Sequence, residues 1–250
     1  MGGIAVGCAG WSIPGQYRDL FGEGESMLAR YATRFAVAEI NSSFHRPHRP
    51  DTYARWAATV PAAFRFSVKL PNLVSHELAL RGTGPALDRV LDESQALGRK
   101  LGGYLLQLPP RQAFDARRMS SFLRVFRRRS DAPLVCEPRH ASWFTNAAAQ
   151  LLDDHDVSRL GADPARVTEA AQPAPHSSWP YWRWHGSPRM YYSSYSDAEL
   201  QALAATLAAR SRRAPRAWVI FDNTAHGFSI PNALALQALL AGPSQERPHA

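Results

Sequence analysis

The sequence predicts a single (β/α)8 barrel, an α/β TIM-like fold with long loops at the carboxyl ends of its strands. Three observations predict it. Short apolar strands alternate with helical stretches along the chain. Eight strands in 250 residues give about 31 residues for each strand–helix unit, which fits this barrel. Most helix-to-strand connections are short, whereas several strand-to-helix connections are long. A doubly wound sheet shows the same alternation and is the structural alternative.

Each predicted strand is a short apolar run bounded by turn or helix signals. The predicted strands are residues 4–8, 37–40, 64–68, 104–108, 134–136, 157–160, 182–184 and 219–221. Helices are predicted near residues 27–35, 52–59, 86–100, 116–128, 146–153, 197–209 and 233–240. Only the stretch after the sixth strand lacks a clear helix. We therefore predict one barrel domain over residues 1–241 and a frayed tail over residues 242–250.

The long connections all follow strands and comprise residues 9–26, 41–51, 69–85 and 161–181. In barrels of this type the carboxyl ends of the strands carry the active site, so the elaboration lies where a site is expected. The last connection contains four prolines, and its length predicts a lid.

Composition excludes several classes of protein. No run of 18 apolar residues occurs, so no membrane span is expected. Residues 1–6 form a segment that is too short, and lacks the charge, for a secretion signal to be predicted. The two cysteines, Cys8 and Cys136, predict no disulfide scaffold, and a reduced, cytoplasmic location is expected. Zinc-ligand spacings and nucleotide-binding glycine motifs are absent from the sequence, and we expect no cofactor.

The net charge of +8 raises the question of nucleic-acid binding. The 29 basic residues comprise 27 arginines and two lysines, Lys69 and Lys100. This ratio, in an alanine-rich chain, is typical of a GC-rich genome, in which arginine codons are used at positions where any solvated cation suffices. We favour solvated helix surfaces over a specific polyanion site, and nucleic acid stays a second candidate partner.

Polar residues interrupt the strands near their carboxyl ends, where parallel strands of a barrel should be apolar. Because alternate residues of a strand share a face, each polar set points to one side. The polar residues are Glu39 and Asn41, Lys69, Gln107, Glu137 and Arg139, Arg183 and His185, and Asn223. Their apolar neighbours, such as Ile40, Trp184 and Phe221, would pack beneath the helices. The polar set is therefore predicted to point into the barrel mouth.

Two interpretations of this set are open, a ligand site and a buried salt-bridge plug. We favour the ligand site, because polar residues at strand ends of this fold usually bind or react. An open, solvated mouth predicts that Glu137→Gln and Lys69→Met change the melting temperature little. A metal site built from Glu39, Glu137, Asp163 and His185 is an alternative. The nearby cations already neutralise the carboxylates, so no metal is expected.

Several segments together resemble the YecE-like family, also called the domain of unknown function 72. They are residues 7–11 (GCAGW), 39–44 (EINSSF), 64–69 (FRFSVK), 97–110, 137–143 (EPRHASW), 183–186 (RWHG), 223–224 and 232–233. The resemblance implies a TIM-like barrel and supplies no reaction. The family's recurring polar residues fall on the nine positions already named. The chain departs from the family at His45, where tyrosine is usual, and at Asp222, where a second asparagine is common.

The sequence therefore predicts an enzyme, a hydrolase, lyase or isomerase, acting on a small anionic molecule such as a phosphorylated or sugar-like one. The predicted catalytic residues are Glu39, Lys69, Glu137 and His185, and the predicted substrate-binding residues are Asn41, Gln107, Arg139, Arg183 and Asn223. One alternative is a nucleic-acid-binding or nucleic-acid-processing barrel that uses exposed Trp11, Phe44, Trp143 and Trp179. A second alternative is a non-catalytic ligand-binding barrel.

Overall fold

The computed structural model describes residues 3–173, 178–210 and 216–242. Within these residues nine parallel strands form one sheet. They are β1 (Ile4–Ala9), β2 (Val37–Ile40), β3 (Arg65–Lys69), β4 (Leu101–Gln107), β5 (Leu134–Glu137), β6 (Val157–Arg159), β7 (Gly161–Asp163), β8 (Tyr181–Trp184) and β9 (Ala217–Phe221). All eight predicted strands are therefore present, with shifted ends.

The sheet curves into a nearly closed barrel. Its strand order is β6-β5-β4-β3-β2-β1-β9-β8-β7, so the first strand pairs with both the second and the last. The two ends of this order, β6 and β7, are consecutive in the chain and are separated by Leu160 alone, whose N–H donates to the carbonyl oxygen of Cys136. The predicted sixth strand is thus β6, and β7 is an additional strand at the start of the connection predicted over residues 161–181. The TIM-like barrel is confirmed, and the doubly wound sheet is wrong.

The region predicted as a lid, residues 161–181, contributes mainly to the barrel. It begins with β7, contains a short 3-10 turn over Thr168–Ala171, and ends with Trp179 packed inside the barrel. Residues 174–177 of this stretch lie outside the described residues. The lid prediction is therefore wrong for the described parts of the stretch, because a strand and a buried tryptophan occupy them.

Seven α-helices cover the outside of the barrel in the described part of the chain. They are α1 (Met27–Tyr31), α2 (Pro50–Thr59), α3 (Gly84–Ser94), α4 (Ala116–Arg127), α5 (Asn146–Asp153), α6 (Asp197–Ala208) and α7 (Ser229–Ala241). Side chains of Ser26, Asp115, Thr145 and Ser196 accept backbone N–H groups at helix starts, the usual reason for a helix to begin at such a residue. The predicted helix over residues 86–100 is α-helical to Ser94 and continues as a 3-10 helix over Gln95–Lys100, in which Gly98 adopts a positive φ of 53° that suits glycine.

The remaining sequence predictions about elements can be stated briefly. Between β7 and β8 the described residues contain no α-helix, as predicted. No helix of the described residues has the length and apolarity that crossing a membrane requires. The predicted frayed tail falls almost wholly on residues 243–250, which lie outside the described residues.

The inner face of the barrel is apolar at the amino ends of the strands. Its members are Ala5, Val37, Leu105, Val135, Leu160, Trp179, Tyr181, Trp218 and Ile220. Two glycines of β4 make room for the large rings. A Cβ on Gly102 would lie 2.8 Å from the Trp218 ring, and one on Gly103 would lie 2.6 Å from the Trp179 ring. We call this set the apolar layer.

One step further along most strands, the next inner residue is polar. Val37 is followed by Glu39, Leu105 by Gln107, and Val135 by Glu137, each two positions on and therefore on the same face. The residues between them, such as Ala38, Leu106 and Cys136, pack outward beneath the helices. The barrel interior thus changes from apolar to charged within a single residue pair, and this change places the candidate site at the carboxyl ends of the strands.

Candidate functional site

The polar residues above the apolar layer, at the carboxyl ends of the strands, form what we call the charged layer. Arg183 of β8 lies at its centre, with 0% of its surface exposed. Its guanidinium contacts three carboxylates from three different strands. Nη2 lies 2.7 Å from Glu39 Oε1 and 2.9 Å from Asp222 Oδ2, and Nη1 lies 3.0 Å from Glu137 Oε2. A buried charge is costly unless it is paired and hydrogen-bonded, and here a planar group with five donors meets that need. Arg183 therefore joins β2, β5 and the end of β9.

His185 bridges two of the same carboxylates. Its Nδ1 lies 3.0 Å from Asp222 Oδ2, and its Nε2 lies 3.0 Å from Glu137 Oε1. Burial lowers the pKa of His185, but the charge of Glu137 and the hydrogen bonds with Asp222 and Glu137 outweigh it, so the pKa is raised. An imidazolium donates from both nitrogens, which suits a ring held between two carboxylates. His185 is therefore a protonated acid in this cluster.

Glu137 accepts hydrogen bonds from three cationic side chains. Besides Arg183 and His185, Arg139 donates from Nε to Glu137 Oε1 at 2.8 Å. Burial raises the pKa of Glu137, but Arg139, His185 and Arg183 together hold the pKa well below its usual range. The pKa of Asp222 is also lowered, because Arg183 and His185 outweigh the effect of its burial. Both carboxylates are ionised at neutral pH.

Arg139 connects this cluster to the rim of the barrel. Its Nη2 donates to Gln107 Oε1 at 3.2 Å and to the Tyr191 hydroxyl at 3.4 Å. Tyr191 lies in the loop after β8 and adopts a φ of +70°, a left-handed conformation that is costly for an aromatic residue. Its ring also lies edge-on to His185, with 5.7 Å between ring centroids. Tyr191 was not predicted from the sequence, because periodicity carries no information about a loop.

Tyr181 joins the charged cluster to the apolar layer beneath it. Its hydroxyl donates to Glu39 Oε2 at 2.8 Å and lies 3.0 Å from the Ser67 hydroxyl. Glu39 therefore has both its oxygens bonded, one by Arg183 and one by Tyr181 and Arg183 together. The carboxylate is fixed in place by the layer below.

Lys69 of β3 is buried at the same end of the barrel, with 5% of its surface exposed, yet it is paired differently. None of the ion pairs among the described residues includes it. Its Nζ lies over the ring of Phe44, 4.1 Å from the ring centroid. Burial and the charge of Arg183 lower the pKa of Lys69 to about 8, against the opposing effect of Glu39, Asp222 and Glu137. Lys69 is thus a buried amine whose ammonium form is poorly stabilised.

A histidine contacts the same ring as Lys69. His76 packs edge-on against Phe44, with 5.1 Å between ring centroids. Burial lowers the pKa of His76, and the charges of Lys69, Arg111 and Arg139 lower it further. Positive charge therefore predominates on this side of the barrel mouth, which favours an anion.

The two predicted asparagines occupy different positions. Asn41 follows β2 and is half-buried, and its Oδ1 has no hydrogen-bond partner among the described residues. Asn223 is buried and donates to the Ser193 carbonyl oxygen at 3.0 Å and to Asn232 Oδ1 at 2.8 Å. The structure therefore places Asn223 under the loop after β8, away from the carboxylates that surround Arg183.

Asp222 takes the inward position at the end of β9 and is a residue that the sequence reasoning missed as a candidate. The signal was present, because Phe221 packs beneath the helices and its neighbour must then point inward. The structure joins six of the nine predicted residues with Asp222 in one network of hydrogen bonds and ion pairs. The six are Glu39, Gln107, Glu137, Arg139, Arg183 and His185.

Two sequence expectations about the mouth are wrong. The charged cluster is not solvated, since Glu39, Glu137, Arg183 and His185 are all buried. Trp143 and Trp179, considered as exposed rings for nucleic acid, are also buried, whereas Trp11 and Phe44 are half-buried. Both tryptophans fill space in the protein interior and are unavailable for stacking on bases.

The arrangement leaves little room for a metal ion at its centre. In the described part of the chain, no three His, Cys, Asp or Glu side chains are grouped so that they could hold one. The position between the three carboxylates is taken by the guanidinium of Arg183. Asp163, part of the metal alternative, instead accepts a hydrogen bond from the Tyr195 hydroxyl at 2.8 Å.

Comparison with known proteins identifies the family and the fold. The family model described as "Protein of unknown function DUF72" matches residues 5–250. The chain belongs to the DUF72 family. The UPF0759 protein YecE of Escherichia coli K12 is 32% identical over 106 residues, which are 42% of this chain and 38% of that protein. The protein of the same name from Escherichia coli O157:H7 matches equally. The match spans 38% of the length of these relatives.

Solved DUF72 structures show the same fold. A DUF72 family protein of Thermotoga maritima MSB8 superposes with a TM-score of 0.79 at 22% identity, over 96% of this chain and 99% of that one. One from Enterococcus faecalis V583 gives a TM-score of 0.78 at 21% identity, over 95% of each chain. These likenesses show the barrel and leave the reaction of this DUF72 protein to be argued from its own residues.

Proposed function

We propose that this DUF72 protein is an enzyme with an acid–base site at the carboxyl end of its barrel, acting on a small anionic molecule. The balance of charge carries the proposal. Three carboxylates, Glu39, Glu137 and Asp222, are matched by Arg183, Arg139 and the protonated His185, as the ion pairs above show. Lys69 remains as a buried cation without a carboxylate partner in the described residues. An anionic ligand would supply the missing negative charge.

The same residues provide groups for proton transfer. His185 bonds Asp222 through one nitrogen and Glu137 through the other, so a proton that it gives up would pass to Glu137, which would exchange it with the substrate. Arg139, half-buried at the rim, can hold part of an anionic substrate without leaving Glu137. Asn41 offers a further oxygen for orienting it. This chemistry suits a hydrolase, a lyase or an isomerase.

Anion binding tests the proposal directly. Inorganic phosphate, sugar phosphates and small carboxylates are titrated into the protein by calorimetry, in the wild type and in two variants that each remove one positive charge. Lys69→Met removes the unpaired buried cation, and Arg55→Met removes an exposed cation of α2. We expect saturable binding that Lys69→Met weakens at least about tenfold and that Arg55→Met leaves unchanged. Equal binding by both variants, or no saturable binding by the wild type, would contradict the proposal.

A second candidate function, nucleic-acid binding, is favoured by a different part of the molecule. A groove of about 510 Å³ between the start of α3 and α4 is lined by five arginines, which are Arg81, Arg117, Arg118, Arg128 and Arg129. Asp115 and Asp88 pair with only two of them. Such a groove fits a phosphate backbone. Oligonucleotide affinity that falls steeply with salt and is lost in Arg117→Glu would support this function, whereas affinity unchanged in that variant would exclude the groove.

A further inference from the structure

The chain contains two lysines, and the structure gives them opposite surroundings. Lys100 lies beside the end of α2, and its Nζ donates to the carbonyl oxygens of Ala57 and Val60. Its ammonium form is therefore directly bonded. Within the described residues, Lys69 Nζ has no such carbonyl partner and no ion pair, and it faces the Phe44 ring. The two amines thus differ in the one property that decides nucleophilicity, which is how well the protonated form is held.

The surroundings of Lys69 destabilise its ammonium form and so increase the neutral fraction. The side chain is buried, and the charge of Arg183 opposes a second positive charge nearby. The carboxylates that would stabilise an ammonium are already bonded by Arg183, Arg139 and His185. With a pKa of about 8, about a tenth of the Lys69 amines are neutral at pH 7, many times more than for an exposed lysine.

We propose that Lys69 is a nucleophile that forms an imine with an aldehyde or ketone carrying a carboxylate or a phosphate. The inference rests on the proposed function, because it places a carbonyl group on the small anion that this site binds. Arg139 at the rim and Arg111, whose charges both act on His76 beside Phe44, would hold the anionic group, and the carbonyl carbon would then lie against Nζ. Glu39 and Glu137 lie near enough to act on the charge of Lys69, and Glu137 is bonded to His185, so these groups would supply the proton transfers.

The reaction balances without any further reactant. The lone pair of the neutral Nζ attacks the carbonyl carbon, and the carbon–oxygen π pair moves to the oxygen, giving a carbinolamine. The nitrogen then forms a second bond to carbon as the carbon–oxygen bond breaks. Both protons of the amine end on the departing oxygen, relayed by the acid and base groups of the cluster, and water leaves. Lys69 and the carbonyl compound thus become an imine and water, with no change of oxidation state.

Reductive trapping tests this step on the full-length protein. The protein is incubated with glyoxylate, pyruvate or glyceraldehyde 3-phosphate, each in turn, and sodium borohydride is added to reduce any imine to a stable secondary amine. Intact-mass and peptide-mass spectrometry then locate the adduct. Because the chain has two lysines and one terminal amine, each position is read separately. We expect one adduct on Lys69 with at least one probe, and at least tenfold less on Lys100 and on the terminal amine.

Three comparisons keep the result specific. Lys100→Arg should be labelled on Lys69 like the wild type, and Lys69→Arg, which keeps a cation at the site, should show no adduct there. Inorganic phosphate should slow the labelling by competition. Propionaldehyde, which has no anionic group, should label Lys69 at least tenfold more slowly than the best anionic probe. Equal labelling by propionaldehyde, or equal labelling of the two lysines, would overturn the inference.

The outcome also separates this inference from the function on which it rests. If small anions bind and Lys69→Met abolishes that binding, but no probe labels Lys69, the imine is wrong and the anion site stands. If neither binding nor labelling occurs in the folded wild type, both are wrong. Circular dichroism of each variant shows that the comparison is made between folded proteins.

Discussion

The interior of this barrel consists of two layers built by the same strands with opposite chemistry. The apolar layer at the amino ends contains Val37, Leu105 and Ile220, and the charged layer, two residues further along, contains Glu39, Gln107 and Asp222. Burying the first layer favours folding, whereas burying the second requires several charges to leave water. This cost agrees with our proposal that the charged layer serves binding and chemistry, whereas the apolar layer provides stability.

The largest effect is expected at the centre of the charged layer. Arg183→Met should destabilise the protein by about 3–5 kcal/mol, because Glu39, Glu137 and Asp222 would face one another without their shared cation. Urea unfolding at pH 7 measures the change, with Arg55→Met as the control for loss of an exposed charge. A loss below about 1 kcal/mol would mean that water replaces the guanidinium and that this layer is not dry.

The apolar layer should respond to a cavity and not to charge. Leu105→Ala is expected to cost about 2–5 kcal/mol through lost contacts and the space left behind. Anion affinity of the folded variant, measured by calorimetry, should fall less than in Lys69→Met, because Leu105 is the neighbour of Lys69 on the next strand but carries no charge. A loss of affinity comparable to that of Lys69→Met would show that the two layers are not separate in function.

Glu137→Gln is the next largest change and revises an expectation drawn from the sequence. An open mouth predicted little effect, but Glu137 is 2% exposed and accepts from three cations. The amide keeps the shape and loses the charge, so Arg139, Arg183 and His185 become underpaired. We expect a loss of about 2–3 kcal/mol in urea unfolding at pH 7. An unchanged midpoint of urea unfolding would instead support a solvated barrel mouth.

Comparison of these layers shows how much of the molecule the sequence predicts. Alternation of apolar and polar residues placed Glu39, Glu137, Arg183 and His185 on one inner face, because strand geometry leaves no other choice. The strand β7 was not predicted, because its residues 161–163 (GAD) lack the β-branched and aromatic side chains that indicate a strand. The sequence also could not predict which charged side chains pair at the barrel mouth, because those ion pairs depend on distances between strands that are far apart in the chain.

The individual errors follow the same rule. Asn223 was chosen over Asp222 because the family pattern points to the asparagine, although Phe221 already indicated which neighbour points inward. Tyr191 was missed because it lies in a loop, where neither period applies. The lack of a carboxylate partner for Lys69 is a fact of three-dimensional packing, and in the sequence only the scarcity of lysine marked it.

The pH dependence of stability should expose the charge of His185. Its pKa is raised in the folded protein, so the stabilisation is fully present below the unfolded pKa, about 6.5, and is lost as the pH rises through the folded pKa. The free energy of unfolding of the wild type, compared with His185→Asn between pH 5.5 and 9, should therefore show a difference of about 1–2 kcal/mol at the acidic end that shrinks as the pH rises. A constant difference would mean that His185 is neutral in the fold.

The smallest effect, and the one of opposite sign, is expected for Lys69→Met. The pKa of Lys69 is lowered in the folded protein to about 8, so the unfolded chain binds more protons between about pH 8 and pH 10.4. The protonated amine therefore opposes folding below pH 8. Its removal should stabilise the protein by roughly 1 kcal/mol at pH 7, because methionine fills the same space against Phe44 without a buried charge. The loss of the contact between the cation and that ring offsets part of the gain. The gain should vanish as the pH rises towards 10.4, where the wild-type amine is neutral in both states. Chemical denaturation across this range measures it. A clear loss of stability at pH 7 would show that Lys69 is a paired structural cation, and the contrast between a fully matched Arg183 and an unmatched Lys69 would no longer hold.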